Sequence, residues 1–444
     1  MSARPDTPGI GLRLLLGFYA LLWYPALPLV LLHFWRRGRH DPAYRRHWAE
    51  RFGAAAGPSD AVWVHAVSLG ELRSAIPLIR ALLEGGASVV TTHLTPAGRR
   101  AAEDTFGPEM AAGRFCARYM PVDMGWAWAA LLRRQRPRLL IALEIEIWPG
   151  MIAACRRAGV PLVLANSQLP QKSFRKQRRL ARLFGHPVSL VPLVLAKSAL
   201  QAERFRALGA PRVEVAGELR FDLPVPPEQL AAAAALRSAL GARPVITLAS
   251  VVAGEEATCL AAFRALQAAG RAPLLVWVPR APERFGPTGD WLAAQGVIVL
   301  RRSEALDDRL GLNPGVRLDD AQVLLGDSFG EMYFYLGLAD AAVVGGGFVP
   351  KGAHNVIEPL ALGLPVLVGP HVWTIEYPGR EAMAAGMVTR CADAGALAAS
   401  LDRLLADPGA DAARRGRARA FLAEHGGATA RTMTALAPLL AARP

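Results

Sequence analysis

The sequence predicts an α/β protein of two doubly wound, parallel-sheet domains preceded by an apolar anchor helix. Three observations carry that expectation. Short apolar runs alternate with helix-period segments along the chain, and strands that read as near-continuous apolar runs belong to parallel sheets covered on both faces. A proline-rich stretch, DLPVPP at 222–227, interrupts the alternation midway, after which it restarts. Positions 14–34 carry no formal charge and form a run long enough to span a bilayer.

In the first half, strands are expected at 61–65, 88–92, 139–143, 161–165, 193–196 and 213–216, with helices at 72–83, 95–105, 126–136 and 198–208. The second half repeats the pattern with strands at 245–249, 274–278, 297–300, 323–325, 341–344 and 365–368. From 394 onward the chain is rich in Ala, Leu and Arg and reads as helix. The expected organisation is an anchor over 1–40, one Rossmann-like domain over 41–222 and a second over 223–444 with the carboxyl-terminal helices. Two such domains would turn their strand ends toward a shared cleft, where ligands of doubly wound sheets bind.

Pro25 and Pro28 would kink the anchor helix, while Tyr19, Trp23 and Tyr24 suit a membrane interface. Arg36, Arg37, Arg39, Arg45 and Arg46 follow at once and mark the cytoplasmic side. A helix that crosses the bilayer, one that lies in its interface and one buried in a soluble core all remain open. Both membrane alternatives leave the body of the protein in the cytoplasm.

Of the 444 residues, 52% are hydrophobic and 20% charged, which excludes intrinsic disorder. The 51 Lys and Arg exceed the 37 Asp and Glu by 14, and only four of the cations are lysines. Arginine grips phosphate and carboxylate with two parallel bonds, so anionic substrates or an anionic membrane surface are the expected partners. No nucleic-acid-binding motif accompanies the charge, and no nucleic acid is expected. Cys116, Cys155, Cys259 and Cys391 form no C-x-x-C pair, consistent with reduced thiols.

Candidate chemistry clusters at predicted strand ends. Glu71, in VHAVSLGE, falls in the first turn of a helix, where the dipole favours an ionised carboxylate able to accept a proton. It could equally serve only the helix terminus; Ala66, Ser68 and Gly70 also resemble a degraded nucleophile elbow that lacks its first glycine. Glu144 and Glu146, two apart in extended chain, would share a face. A divalent metal is conceivable there, yet no D-x-D motif occurs, and no metal or cofactor is expected. Lys172, Arg175, Lys176, Arg178, Arg179 and Arg182 form either a solvated helix face or a surface for anionic headgroups or a phosphorylated acceptor. Arg280, after Pro279, could clamp a phosphate or pair on the surface. Gly345, Gly346 and Gly347 lead into a helix start where backbone amides could hold an anion. Asn355 and Glu358 have the spacing of a capping box, and Glu358 could also accept from ribose hydroxyls.

Taken together, the motifs HAVSLGE, TTHLTPAG, EIEIWP, GELRFD, PRAPERF, GDSFGE and GGGFVPKGAHNVIEP resemble those of the 3-deoxy-D-manno-octulosonic acid (Kdo) transferases. That resemblance implies the two-domain GT-B fold and inverting transfer of Kdo from CMP-Kdo to a lipid A precursor in lipopolysaccharide core biosynthesis. It implies a location on the cytoplasmic side of the inner membrane, among anionic lipids, and no metal in the transfer step. By likeness, Glu71 is the catalytic base, and Glu144 and Arg220 stabilise the transition state. Pro279, Arg280, Phe329, Gly330, Glu331, Asn355, Val356, Ile357 and Glu358 fall where the family binds CMP. The chain departs from the family where Arg220 replaces lysine, Ala281 replaces histidine and Ile145 replaces threonine. The runs 166–170 and 250–256 also lack an arginine and a histidine usual there. These departures leave two alternatives: a GT-B transferase of different donor or acceptor, and an inactive membrane-bound paralogue acting as an interaction protein.

Overall fold

The computed structural model describes residues 8–407 and 411–441; the first seven positions of the expected anchor lie outside them. The chain forms two compact units. One runs to Leu223 and resumes at His425; the other is Pro224–Glu424.

The first unit holds a seven-stranded, all-parallel sheet: β1 Val62–His65, β2 Val89–His93, β3 Phe115–Tyr119, β4 Leu139–Leu143, β5 Leu162–Ser167, β6 Leu193–Ala196 and β7 Val213–Val215. Their spatial order is β3-β2-β1-β4-β5-β6-β7. Alternate residues of one strand enter different cores. Val62 and Val64 pack on one face and Trp63 on the other; Leu139, Ile141 and Leu143 oppose Leu140 and Ala142 in the same way. Burial on both faces explains why these strands read as unbroken apolar runs. β3 escaped the sequence reading because Cys116 and Arg118 interrupt its apolar residues, which a strand at the sheet's edge tolerates. The strand order reverses between β1 and β4, so the crevice beyond their carboxyl ends is where such a sheet binds ligand.

The second unit repeats the scheme with β8 Val245–Val251, β9 Leu274–Pro279, β10 Val299–Arg301, β11 Val323–Leu325, β12 Ala341–Val344, β13 Val366–Val368 and β14 Val388–Arg390. The order is β10-β11-β9-β8-β12-β13-β14, again all parallel. β14 is a three-residue edge strand that ends on exposed Thr389 and Arg390, too short and polar to read.

The carboxyl-terminal helices do not all stay with the second unit, as the sequence had suggested. The last, Ala428–Ala441, buries Ala428, Ala435 and Leu436 in the first unit's core against the helix Leu69–Glu84. The Asp222 carboxylate fixes its start by accepting from the amides of Gly427 (2.7 Å) and Thr429 (2.6 Å).

The amino-terminal helix, Ile10–Arg37, contains both Pro25 and Pro28. It packs along the first unit on one side only. Leu12 and Phe34 are buried, Trp23 and Leu27 meet Val122, Met124 and Ala127, and the Tyr19 hydroxyl donates to Asp123 at 2.8 Å. The opposite side leaves Ile10, Leu14, Phe18, Leu21, Leu29 and Leu32 exposed. A helix buried in a soluble core is therefore ruled out by its bare apolar side.

Candidate active site

The loops after β1 and β4 meet where the first sheet's order reverses. After β1, Ser68 caps the helix Leu69–Glu84, its hydroxyl accepting from the Glu71 amide (3.4 Å). The Glu71 carboxylate in turn accepts from the Val67 amide at 2.5 Å. This is the reciprocal logic of a capping box, so the helix-terminus reading of Glu71 is real. It does not leave the group ionised at rest, as the dipole argument had suggested. Burial first, then Glu146 and Glu144, push Glu71 up to about 8, over the opposing pull of the Val67 and Ser68 amides. Among the described residues Glu71 makes no ion pair.

After β4 the chain turns at once, with Glu144 at φ +58°. Glu144 and Glu146 therefore do not project in parallel from extended chain as expected; they turn to different partners while both act on Glu71. Glu144 receives Arg220 Nη2 at 3.0 Å, Lys197 Nζ at 3.3 Å and Gln168 Nε2 at 3.0 Å. Lys197 directly follows β6, almost fully buried, and also reaches Glu218 at 2.7 Å. Glu218 accepts from Asn166 Nδ2 (3.0 Å) and the Arg220 amide (3.3 Å). Against the cost of its burial, Lys197 and then Arg220 hold Glu218 well below the usual carboxylate range. Arg220 Nε donates to Ser74 (2.6 Å), whose hydroxyl donates to the Gly70 carbonyl (3.0 Å). Glu144, Lys197, Glu218 and Arg220 thus alternate in sign and sum to zero. Lys197 and Glu218 are buried and Glu144 and Arg220 partly so, which is tolerable only because each has a partner.

Glu146 accepts from Trp148 Nε1 and lies 3.8 Å from His65 Nε2. His65 is buried on β1 with Nδ1 2.9 Å from the Thr92 hydroxyl. No group of three or more His, Cys, Asp and Glu with metal-binding geometry occurs among the described residues.

The second unit gathers its candidates at the corresponding edge. Arg280 follows β9 with its amide donating to Val251 (2.9 Å) and its side chain exposed. Burial, then Arg280, then Lys351 depress His354 to about 4, which sets both cations around the glycine loop and keeps the imidazole neutral. The loop's amides are less available than expected. Buried Glu255 accepts from Gly346 (2.7 Å), Phe348 (2.8 Å) and Val252 (3.2 Å), so an internal carboxylate already occupies two of them. The spacing of Asn355 and Glu358 also misled. The helix is Ile357–Ala361 with Val356 as its N-cap, and Asn355 Oδ1 accepts from the Ile357 amide (3.0 Å), one residue outside a capping-box position. Val356 and Ile357 are core side chains.

The loop after β11 carries Phe329, 65% exposed and edge-on to Phe285 at 5.8 Å. Gly330 has φ +80°, and its carbonyl accepts from Gln229 (2.8 Å). The Glu331 carboxylate takes both Arg302 Nε (2.9 Å) and Nη2 (2.8 Å), besides the hydroxyls of Ser328 and Tyr335. Its side chain therefore braces the loop.

Glu71, Glu144 and Arg220 thus come together on one unit, and Pro279, Arg280 and Asn355 to Glu358 share an edge of the other. Sequence reasoning passed over Lys197, Glu218 and Glu255. The available signal was position: Lys197, one of four lysines, directly follows an apolar strand, where a charge belongs to a ligand or a buried partner.

A family model described as 3-Deoxy-D-manno-octulosonic-acid transferase (kdotransferase) matches residues 46–223. The 3-deoxy-D-manno-octulosonic acid transferase of Bordetella pertussis is 39% identical over 429 residues, covering 95% of this chain and 98% of that one. The enzyme of the same name from Haemophilus influenzae is 32% identical, covering 81% of this chain and 83% of that one. Among solved structures, a glycosyltransferase from Rickettsia africae matches with a TM-score of 0.56 at 13% identity, over 87% of this chain and all of that one (100%). At that identity the likeness concerns the fold alone, and the fold is GT-B.

Proposed function

Because the chain belongs to the family of 3-deoxy-D-manno-octulosonic acid (Kdo) transferases, we propose that it moves Kdo from CMP-Kdo onto a lipid A precursor, with inversion at the transferred carbon. The observation that carries this reading is the 39% identity to a Kdo transferase over 95% of the chain.

In this reaction a hydroxyl of the acceptor attacks C2 of Kdo while the bond from C2 to the phosphate oxygen breaks. Glu71 takes the proton from the attacking hydroxyl. A base near pH 8 suits that task, since a carboxylate of ordinary acidity would be a weak proton acceptor at neutral pH. Glu144 and Arg220, locked together with Lys197, keep a rigid pair of opposite charges beside the oxocarbenium-like centre. The departing CMP gains negative charge on its phosphate, which Arg280 meets as the donor-side cation. Pro279, the backbone of Phe329, Gly330 and Glu331, and the turn from Asn355 through Val356 and Ile357 to Glu358 hold the nucleotide.

The protein is membrane-associated. We read the helix Ile10–Arg37 as lying in the interface, because it packs on the first unit near both of its ends, at Leu12 and Phe34. Its bare face would enter the cytoplasmic leaflet of the inner membrane. The helix Gln171–Phe184 has no buried residue and sets its six cations against anionic headgroups.

Purified full-length protein in detergent, given CMP-Kdo and a tetraacylated lipid A precursor, should release CMP as the acceptor gains Kdo. Turnover of another nucleotide sugar, with none of CMP-Kdo, would overturn the donor assignment.

A further inference from the structure

A cavity of about 190 Å³ opens between the inner face of the amino-terminal helix and the first unit. Leu15, Leu16 and Tyr19 line it from the helix, Ile147 from the loop after β4, Pro149 from the start of the helix Pro149–Ala158, and Leu180 from the basic helix. The remaining lining is equally uncharged: Gln177, Pro187 and His186, whose imidazole burial depresses to about 4 and so keeps neutral. We propose that this cavity is a subsite for one acyl chain of the lipid acceptor, a reading that rests on the acceptor being a lipid.

Three features favour an alkyl chain over other occupants. The walls are mostly apolar, with Leu15, Leu16, Ile147, Pro149, Leu180 and Pro187 outnumbering the polar Tyr19, Gln177 and His186, which suits a hydrocarbon guest. The roof is a helix whose outer face is bare and apolar, so a chain can pass from lipid into the cavity without crossing water. The mouth is bordered by the helix Gln171–Phe184, whose exposed Lys172, Lys176 and Arg179 complement an anionic headgroup. The cavity also backs onto the reacting edge. Ile147 and Pro149 flank Trp148, whose indole donates to Glu146, one of the two carboxylates acting on Glu71. A lipid seated by its chain would therefore present its sugar hydroxyls on the Glu71 side of that loop.

The test needs no turnover. Full-length protein is mixed with a tetraacylated lipid A precursor carrying a diazirine on one chain, irradiated, digested and mapped by mass spectrometry. Labels on Leu15, Leu16, Tyr19 or Leu180 support the subsite; labels confined to the outward Leu14, Phe18 and Leu21 mean bulk lipid contact and overturn it. Leu180→Trp, which fills the mouth from a half-exposed position, supplies the second measurement. It should raise KM for the acylated acceptor about tenfold, the worth of roughly two buried methylene groups. It should leave kcat, KM for CMP-Kdo and the kinetics of a deacylated acceptor unchanged. Unchanged acylated-acceptor kinetics, or an equal effect on both acceptors, would refute the proposal. Labelling inside the cavity without transfer to any acceptor would sink the transferase reading and leave the subsite standing.

Discussion

Glu71→Gln offers a test in which stability and chemistry move in opposite directions. Burial and the two neighbouring carboxylates lift Glu71 from 4.5 to about 8 in the folded protein. The folded state thus holds a proton that the unfolded chain releases near pH 4.5. Ionising Glu71 costs nothing below that pH, costs progressively more between 4.5 and 8, and levels off above 8. At one proton per site the penalty reaches about 4 kcal/mol near pH 7.5 and about 5 above pH 8. Glutamine keeps the carbonyl that accepts from Val67 and carries no charge, so it mimics the protonated acid. We expect Glu71→Gln to melt with the wild type at pH 4.5 and above it at pH 7.5, with the gap widest at pH 9. Turnover should fall by at least about two decades, because the variant cannot take a proton. Scanning calorimetry at the three pH values, with CMP release beside it, reads both effects. A variant no more stable than the wild type at pH 9 would refute the buried-carboxylate account; near-normal turnover would refute the base.

The ion quartet gives two further expectations. Lys197→Met takes from buried Glu218 its closest cation and leaves Glu144 with Arg220 alone, and should lower stability by about 3–5 kcal/mol in denaturant melts. Arg220→Lys keeps a charge for Glu144 but loses the fork that also reaches Ser74, so it should retain activity, whereas Arg220→Ala should cut kcat with little change in KM for the donor. For the membrane, Leu14, Phe18 and Leu21 changed together to Ser should move the protein to the soluble fraction while detergent-assayed turnover persists. Pelleting as before would assign attachment to the basic helix. Deleting the whole helix is the poorer experiment, since it would bare Val122 and Met124.

What the sequence revealed and what it hid follow from the range of the interactions. Strands such as Leu139–Leu143 and Ala341–Val344 were legible because both faces are buried and no polar residue interrupts them. Phe115–Tyr119 was not, because an edge strand has freedom to alternate. Glu71, Glu144 and Arg220 stood out by their places in recognisable motifs. Their electrostatics did not: the carboxylates around Glu71 come from another strand, and the dipole argument saw only its own helix. Lys197 and Glu218 are joined to Glu144 across strands distant in sequence, which no local spacing encodes. The glycine loop shows the same limit. Its amides looked open for an anion until Glu255, some ninety residues earlier, was found to occupy those of Gly346 and Phe348.

The pH dependence of kcat/KM for the lipid acceptor tests the central claim most directly, that Glu71 is a base tuned by burial and by its neighbouring carboxylates. The wild type should lose activity on the acid side with an apparent pKa near 8. Glu146→Gln removes the larger of the two carboxylate contributions and should shift that limb to lower pH while activity remains. An acid limb near 4.5, or one that Glu146→Gln leaves in place, would contradict the assignment.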